Sequence, residues 1–213
     1  LRTIAVIPVI LFHMGAKWVP GGFLGVDVFF VISGYLITSI ILKDYDRGSF
    51  NFTHFWLRRI RRILPALLVM LLTTSIAGYF IFYGQDIHDL GRQGVSALLS
   101  FANIYLWRLA GNYWGQQAEN SVFLHTWSLS VEEQFYLFFP FLLIVLLKFY
   151  KKHLVSSIAT LVIISFLLFL YGSHGFPNAT FYLLPTRAWE LGSGCLLAIV
   201  THKYTLRTEN NVF

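Results

Sequence analysis

GFLGVDVFFVISGYLITSIIL, residues 22–42, is an apolar run interrupted by one charged residue, Asp27. A helix of about 20 such residues crosses the roughly 30 Å of hydrocarbon in a bilayer. Similar runs recur at 3–14, 63–83, 135–147, 154–171 and 191–200. With their flanks the first and last extend to 3–19 and 186–202, which predicts six spans. A further apolar stretch, 94–109, is too short for a span and reads as a re-entrant or interfacial helix. The expected fold class is therefore all-α, a polytopic transmembrane helix bundle. Composition agrees: 56% of the 213 residues are hydrophobic and 12% charged, against about 25% charged in an ordinary soluble domain. This excludes a disordered chain. A soluble single domain could not cover so much apolar surface with so few charges. Cys195 is the only cysteine, which excludes a disulfide-stapled secreted domain.

The net charge of +6 would suggest nucleic acid in a soluble protein, but here the bases cluster between apolar runs and report topology instead. With six spans, Arg2, the 43–62 loop, 148–152 and 203–207 share one side. Lys17, Arg92, Arg108 and Arg187 are left opposite. The positive-inside bias then places the N-terminus in the cytoplasm. The 43–62 loop carries Phe50, Phe52, Phe55 and Trp56 and is expected to lie on the headgroup layer. The 83–126 stretch is long, polar at both ends and placed outside, where a loop of that size is often functional. No repeat or low-complexity segment is visible. The chain opens at Leu1 and is apolar by residue 3, so it reads as part of a longer membrane protein.

Ionisable residues inside such spans need a partner or a water-filled cavity. His13, about 16 Å up a helix from Arg2, is expected beyond mid-membrane. It serves either as a ring bonded to a neighbouring carbonyl or as a general base poised near neutral pH. Asp27 follows a glycine-rich turn that should return it to the depth of His13. Ser33 and Gly34 suit close helix approach. Arg58, Arg59, Arg61 and Arg62, closed by Pro65, either fix orientation and bind anionic lipid or grip phosphate with guanidinium forks. Arg59 and Arg62 share a helical face.

HTWSLSVEEQFYLFFP, residues 125–140, opens an apolar helix with two carboxylates. Ser128 or Ser130 is a candidate cap. Glu132 and Glu133 project about 100° apart, so one of them faces the interior; the plain alternative is stabilisation by the helix dipole. Trp127 is a substrate-facing or structural aromatic. In PTRAWELGSG, residues 185–194, Arg187 and Glu190 stand at i, i+3 and pair either structurally or around substrate. No P-loop, zinc-ligand spacing or GxSxG elbow is present, so no metal is expected.

Arg2 with His13 ten residues between, GGFLGVDVFFVISGYLIT, Arg59-x-x-Arg62 and the 125–140 motif together resemble the membrane acyltransferase-3 family. Bacterial O-antigen (lipopolysaccharide) and peptidoglycan O-acetyltransferases belong to it. PTRAWELGSG is similar to the subgroup often fused to an extracytoplasmic SGNH domain. The resemblance runs over nearly the whole chain, making residues 1–213 the N-terminal part of one such membrane domain. The family usually has about ten spans, so six imply truncation. The resemblance implies an acyl relay in the bacterial inner membrane, with acetyl-CoA or another acyl-CoA as donor substrate and a glycan as acceptor. The lipid bilayer and a fused or separate SGNH domain would be its partners. No permanently bound cofactor and no nucleic acid is expected. His13, with Asp27 or one of Glu132 and Glu133, would carry catalysis as base or acyl carrier. Arg2, Arg59 and Arg62 would hold the donor. A transporter or flippase using the same intramembrane His, Asp and Glu is the alternative, and a non-catalytic scaffold the weaker third.

Overall fold

A computed structural model describes residues 2–111 and 118–210, with Arg2, Glu119 and residues 205–210 described in backbone only. All regular structure among the described residues is helical. In order these are α1 (Arg2–His13), α2 (Gly25–Asp46), α3 (Phe52–Ile81), α4 (Gln85–Leu98), α5 (Ala102–Ala110), α6 (Thr126–Phe149), α7 (Leu154–Gly175), α8 (Pro177–Tyr182) and α9 (Leu184–Asn210). The protein is a polytopic helical membrane protein. Four helical segments among the described residues have the length and apolar composition to cross a bilayer: Gly22–Asp46, Phe52–Ile81, Thr126–Phe149 and Lys151–Gly175. The count of six added 3–19 and 186–202. The first is realised as the 12-residue α1, which ends before Gly15 at φ +80°. The second lies within α9, a 27-residue helix that carries Arg187 and Glu190.

Two segments fold differently from their sequence reading. The basic 43–62 loop is mostly helix: α2 runs to Asp46, and α3 begins at Phe52. The Asn51 side chain accepts from the His54 amide at 3.0 Å, which caps α3 and lets all four arginines fall inside it. Pro65 does not close that helix but lies within it. The 94–109 stretch breaks into α4 and α5 at Ser100, a non-glycine residue at φ 59°. Gln134 holds that turn by donating to the Ser100 carbonyl at 2.8 Å.

The chain forms two compact units, one of Leu1–Phe50, Phe138–Tyr171 and Pro185–Phe213, the other of Asn51–Leu137 and Gly172–Leu184. In the first, α2 and α9 meet backbone to backbone. A Cβ on Gly34 would collide with the Leu191 carbonyl, and one on Gly194 with the Val31 carbonyl. Small residues permit such approach where lipid offers helices no hydrophobic drive to associate. The Cys195 thiol is sealed in this seam, 3.6 Å from the Gly34 carbonyl. Ser165 of α7 reaches into α9, accepting from the Trp189 amide at 2.9 Å and donating to the Pro185 carbonyl at 2.7 Å. Those are the two groups that an uninterrupted helix joins directly, so the hydroxyl bridges the ladder just where Arg187 and Glu190 project.

In the second unit Leu67, Leu71, Leu90, Ala97, Ala102 and Phe123 form one buried cluster. Asn103 donates to the Tyr182 carbonyl at 3.1 Å and accepts from Gln134 at 2.8 Å. Ser130 accepts from the Ala102 amide. A polar strut thus ties α5 to α6 and α8, with its buried groups satisfied. The outer faces stay apolar: Val69, Leu72 and Ile76 of α3 are about 60% exposed, as expected where lipid is the solvent.

Candidate active site

Gly25 rests against the Ala5 carbonyl and Gly22 against the Pro8 carbonyl and Phe12, so α1 runs antiparallel to the start of α2. Asp27 therefore stands level with the first residues of α1, about 15 Å along the axis from His13 at 1.5 Å per residue. This corrects the expectation that the glycine turn returns Asp27 to the depth of His13. None of glycines 21, 22 and 25 has a positive φ; Gly22 and Gly25 serve close packing. The same register puts Arg2 beside the first turns of α2, about 27 Å from its Asp46 end. Arg2 consequently does not share a level with the C-terminal end of α2, as the sequence reading had it.

The His13 ring is exposed and a ring nitrogen, Nδ1, bonds the Val9 carbonyl one turn back at 2.8 Å. A carbonyl only accepts, so Nδ1 carries the hydrogen, and in the neutral form of the ring Nε2 is the acceptor. Phe12 meets the ring edge-on at 5.5 Å. Asp27 is engaged elsewhere. Its Oδ1 accepts from Arg187 Nη1 at 3.1 Å, and the same nitrogen donates to Glu190 Oε1 at 2.6 Å. Arg187 and Glu190 are buried, with side chains 10% and 1% exposed, while Asp27 is 32% exposed. One guanidinium thus serves two carboxylates, and Glu190 Oε2 is buried without a hydrogen-bond partner. The i, i+3 pair expected from sequence is present; its tie to Asp27, 160 residues away, was not legible there.

The second unit assembles the other motifs. Arg59 turns inward: its guanidinium carbon lies 3.5 Å from the centroid of the Tyr136 ring, and its Nε is buried without a hydrogen-bond partner. The Tyr136 hydroxyl donates to Glu132 Oε1, and Trp56 Nε1 donates to the Tyr136 carbonyl at 3.1 Å. Tyr136 and Glu132 are fully buried. Arg62 is exposed, so the shared helical face does not give the two arginines the same surroundings. Tyr136 stands near the middle of α6, so Arg59 lies well inside that helix's length. Sequence reasoning passed over Tyr136. Its spacing of four from Glu132, on one face of an apolar helix, was the available signal.

Glu133 is less buried than Glu132, in line with their 100° divergence. Both lie past the first turn, because α6 starts at Thr126. The dipole reading therefore loses its basis, since that effect fades within one turn. Ser128 and Ser130 sit inside the helix and do not cap it. Trp127 is buried against Phe181 and Tyr182, at 4.7 and 5.8 Å, a packed aromatic cluster. Among the described residues no group of His, Cys, Asp or Glu is arranged to hold a metal ion.

Comparison with known proteins identifies the class. Residues 1–212 match the acyltransferase-3 family model, described as an acyltransferase domain, and the chain belongs to that family. It is 38% identical over 205 residues to the peptidoglycan O-acetyltransferase OatA of Listeria monocytogenes serovar 1/2a, covering 94% of this chain and 33% of the relative. It is 36% identical over 217 residues to the protein named "Putative O-acetyltransferase" in Staphylococcus aureus (strain COL), covering 98% and 35%. The chain thus spans about a third of the length of the curated relatives it matches. No solved structure matches it.

Proposed function

We propose that this chain is the membrane portion of an O-acyltransferase that moves an acyl group, acetyl by likeness to its relatives, from cytoplasmic acyl-CoA to a hydroxyl of an extracytoplasmic glycan. The observation that carries this reading is Arg59, drawn inside the bundle with a buried donor unmet. A buried unmatched N–H costs about 1–3 kcal/mol. An anionic oxygen of the donor phosphates relieves that cost, and a guanidinium fork suits it. Arg62, exposed one turn on, offers a second contact to the same donor.

His13 supplies the reacting nitrogen. As a base, Nε2 takes the acceptor hydroxyl proton while the hydroxyl oxygen bonds the acyl carbon; the C–S bond breaks and CoA leaves as thiolate. As a carrier, Nε2 itself bonds the acyl carbon as the C–S bond breaks and CoA leaves as thiolate; the acceptor hydroxyl oxygen then bonds the acyl carbon, the C–N bond breaks, and Nε2 takes up the hydroxyl proton. Rapid quench without acceptor separates the two, because only the second leaves acyl on the protein. The charge pattern supports an N-terminus directed to the cytoplasm, and likeness to bacterial O-acetyltransferases supports the inner membrane; a cysteine at position 151 then escapes labelling from outside intact cells. Radiolabelled acetyl-CoA given to membranes holding the full-length protein tests the activity. Label reaching glycan is the expected result; acetyl-CoA recovered unreacted would favour a transporter.

A further inference from the structure

We propose that Tyr136 is a positioning residue for the donor: its ring fixes the plane of the Arg59 guanidinium, so that the N–H edge is presented to a phosphate of acyl-CoA before that donor arrives. The inference rests on the donor reading of Arg59 given above. Tyr136 is fully buried and is held at two points. The Trp56 indole holds its backbone at 3.1 Å, and its hydroxyl donates to Glu132, which limits rotation of the ring. The Arg59 guanidinium lies 3.5 Å over the ring centroid.

A guanidinium stacked on a π-face keeps its donors in its own plane, pointing away from the ring. Stacking therefore neutralises none of the hydrogen bonds that an oxyanion needs. It also removes much of the rotamer freedom that binding would otherwise have to take away. The Glu132 carboxylate, reached through the phenol, adds electron density to the face that Arg59 touches. The arginine motif of α3 and the carboxylate motif of α6 are thereby joined through one aromatic ring.

The test places phenylalanine, then mono-, di- and trifluorophenylalanine, at position 136 of the full-length protein and measures equilibrium binding of radiolabelled acetyl-CoA. Fluorination keeps the ring's shape, so folding is preserved while the negative face is drained. Tyr136→Phe gives up the tether to Glu132, so it should itself bind more weakly than the unmodified protein and serves as the reference for the series. The fluorinated series should then weaken in steps, about tenfold at most in all, the cost of ordering the Arg59 side chain anew on binding. In an Arg59→Ala background the same series should be flat. Arg59→Ala that weakens binding beside a series that does not would overturn the role of Tyr136 and leave the donor site standing. Arg59→Ala that binds acetyl-CoA normally overturns both.

Discussion

Arg187 reaches the carboxylate of Asp27 at 3.1 Å while holding Glu190 at 2.6 Å, so the one acidic residue of the 22–42 run is matched by a cation from the far end of the chain. This pairing directs Asp27 away from His13. The orienting contact for His13 comes from its own helix, through the Val9 carbonyl.

Removing Arg187 leaves two carboxylates without their shared cation. Arg187→Ala should cost about 3–5 kcal/mol, the range for breaking a buried pair from one side. Asp27→Asn should cost less, because Arg187 keeps Glu190. Thermal unfolding in detergent measures both, and equal losses for the two variants would contradict the shared-cation arrangement.

His13→Gln should insert, fold and bind acetyl-CoA normally, yet lose transfer by about 10²–10⁴, the usual worth of a positioned base. Because Asp27 lies about 15 Å away along the helices, Asp27→Asn should not reproduce that loss. Transfer assays on stability-matched samples decide this, and near-normal transfer by His13→Gln would eliminate its proposed role.

Arg59→Ala should weaken acetyl-CoA binding about tenfold to a hundredfold, corresponding to a charge-assisted phosphate contact of about 1.5–3 kcal/mol. Arg62→Ala, on an exposed side chain, should cost less. Lysine at position 59 should recover only part of the affinity, since an ammonium lacks the fork and stacks poorly. Equilibrium binding on the full-length protein checks all three.

Ser165→Ala removes the hydroxyl that bridges Pro185 and Trp189. The expected loss is about 1–3 kcal/mol for the groups left without it, accompanied by a shift of Arg187 and Glu190. Differential scanning calorimetry reads the first. If the loss is negligible, α9 closes its own ladder without help.

Gly34→Ala should be severely destabilising, because the new methyl group meets the Leu191 backbone, which has no rotamer to yield. Gly91→Ala is the control: it lies inside α4 with open space where a Cβ would go, and should gain about 0.5–1 kcal/mol. Thermal shifts of opposite sign are the expected outcome.

The sequence alone determined the membrane class, since a run such as 22–42 has no stable place in water, and the order of its motifs pointed to the family. It also determined the Arg187–Glu190 pair, because i, i+3 spacing on a helix is a local property. Which residues answer Asp27 and Arg59 was decided only by tertiary structure. Asp27 meets Arg187 because α9 packs against α2, and Arg59 meets Tyr136 because Trp56 anchors α3 on α6. Neither partner is encoded in spacing along one helix. The register of α1 on α2, set by backbone contact at Gly22 and Gly25, likewise separated His13 from Asp27. Periodicity shows which face of a helix is apolar; how far one helix slides along another depends on the small residues that let their backbones touch.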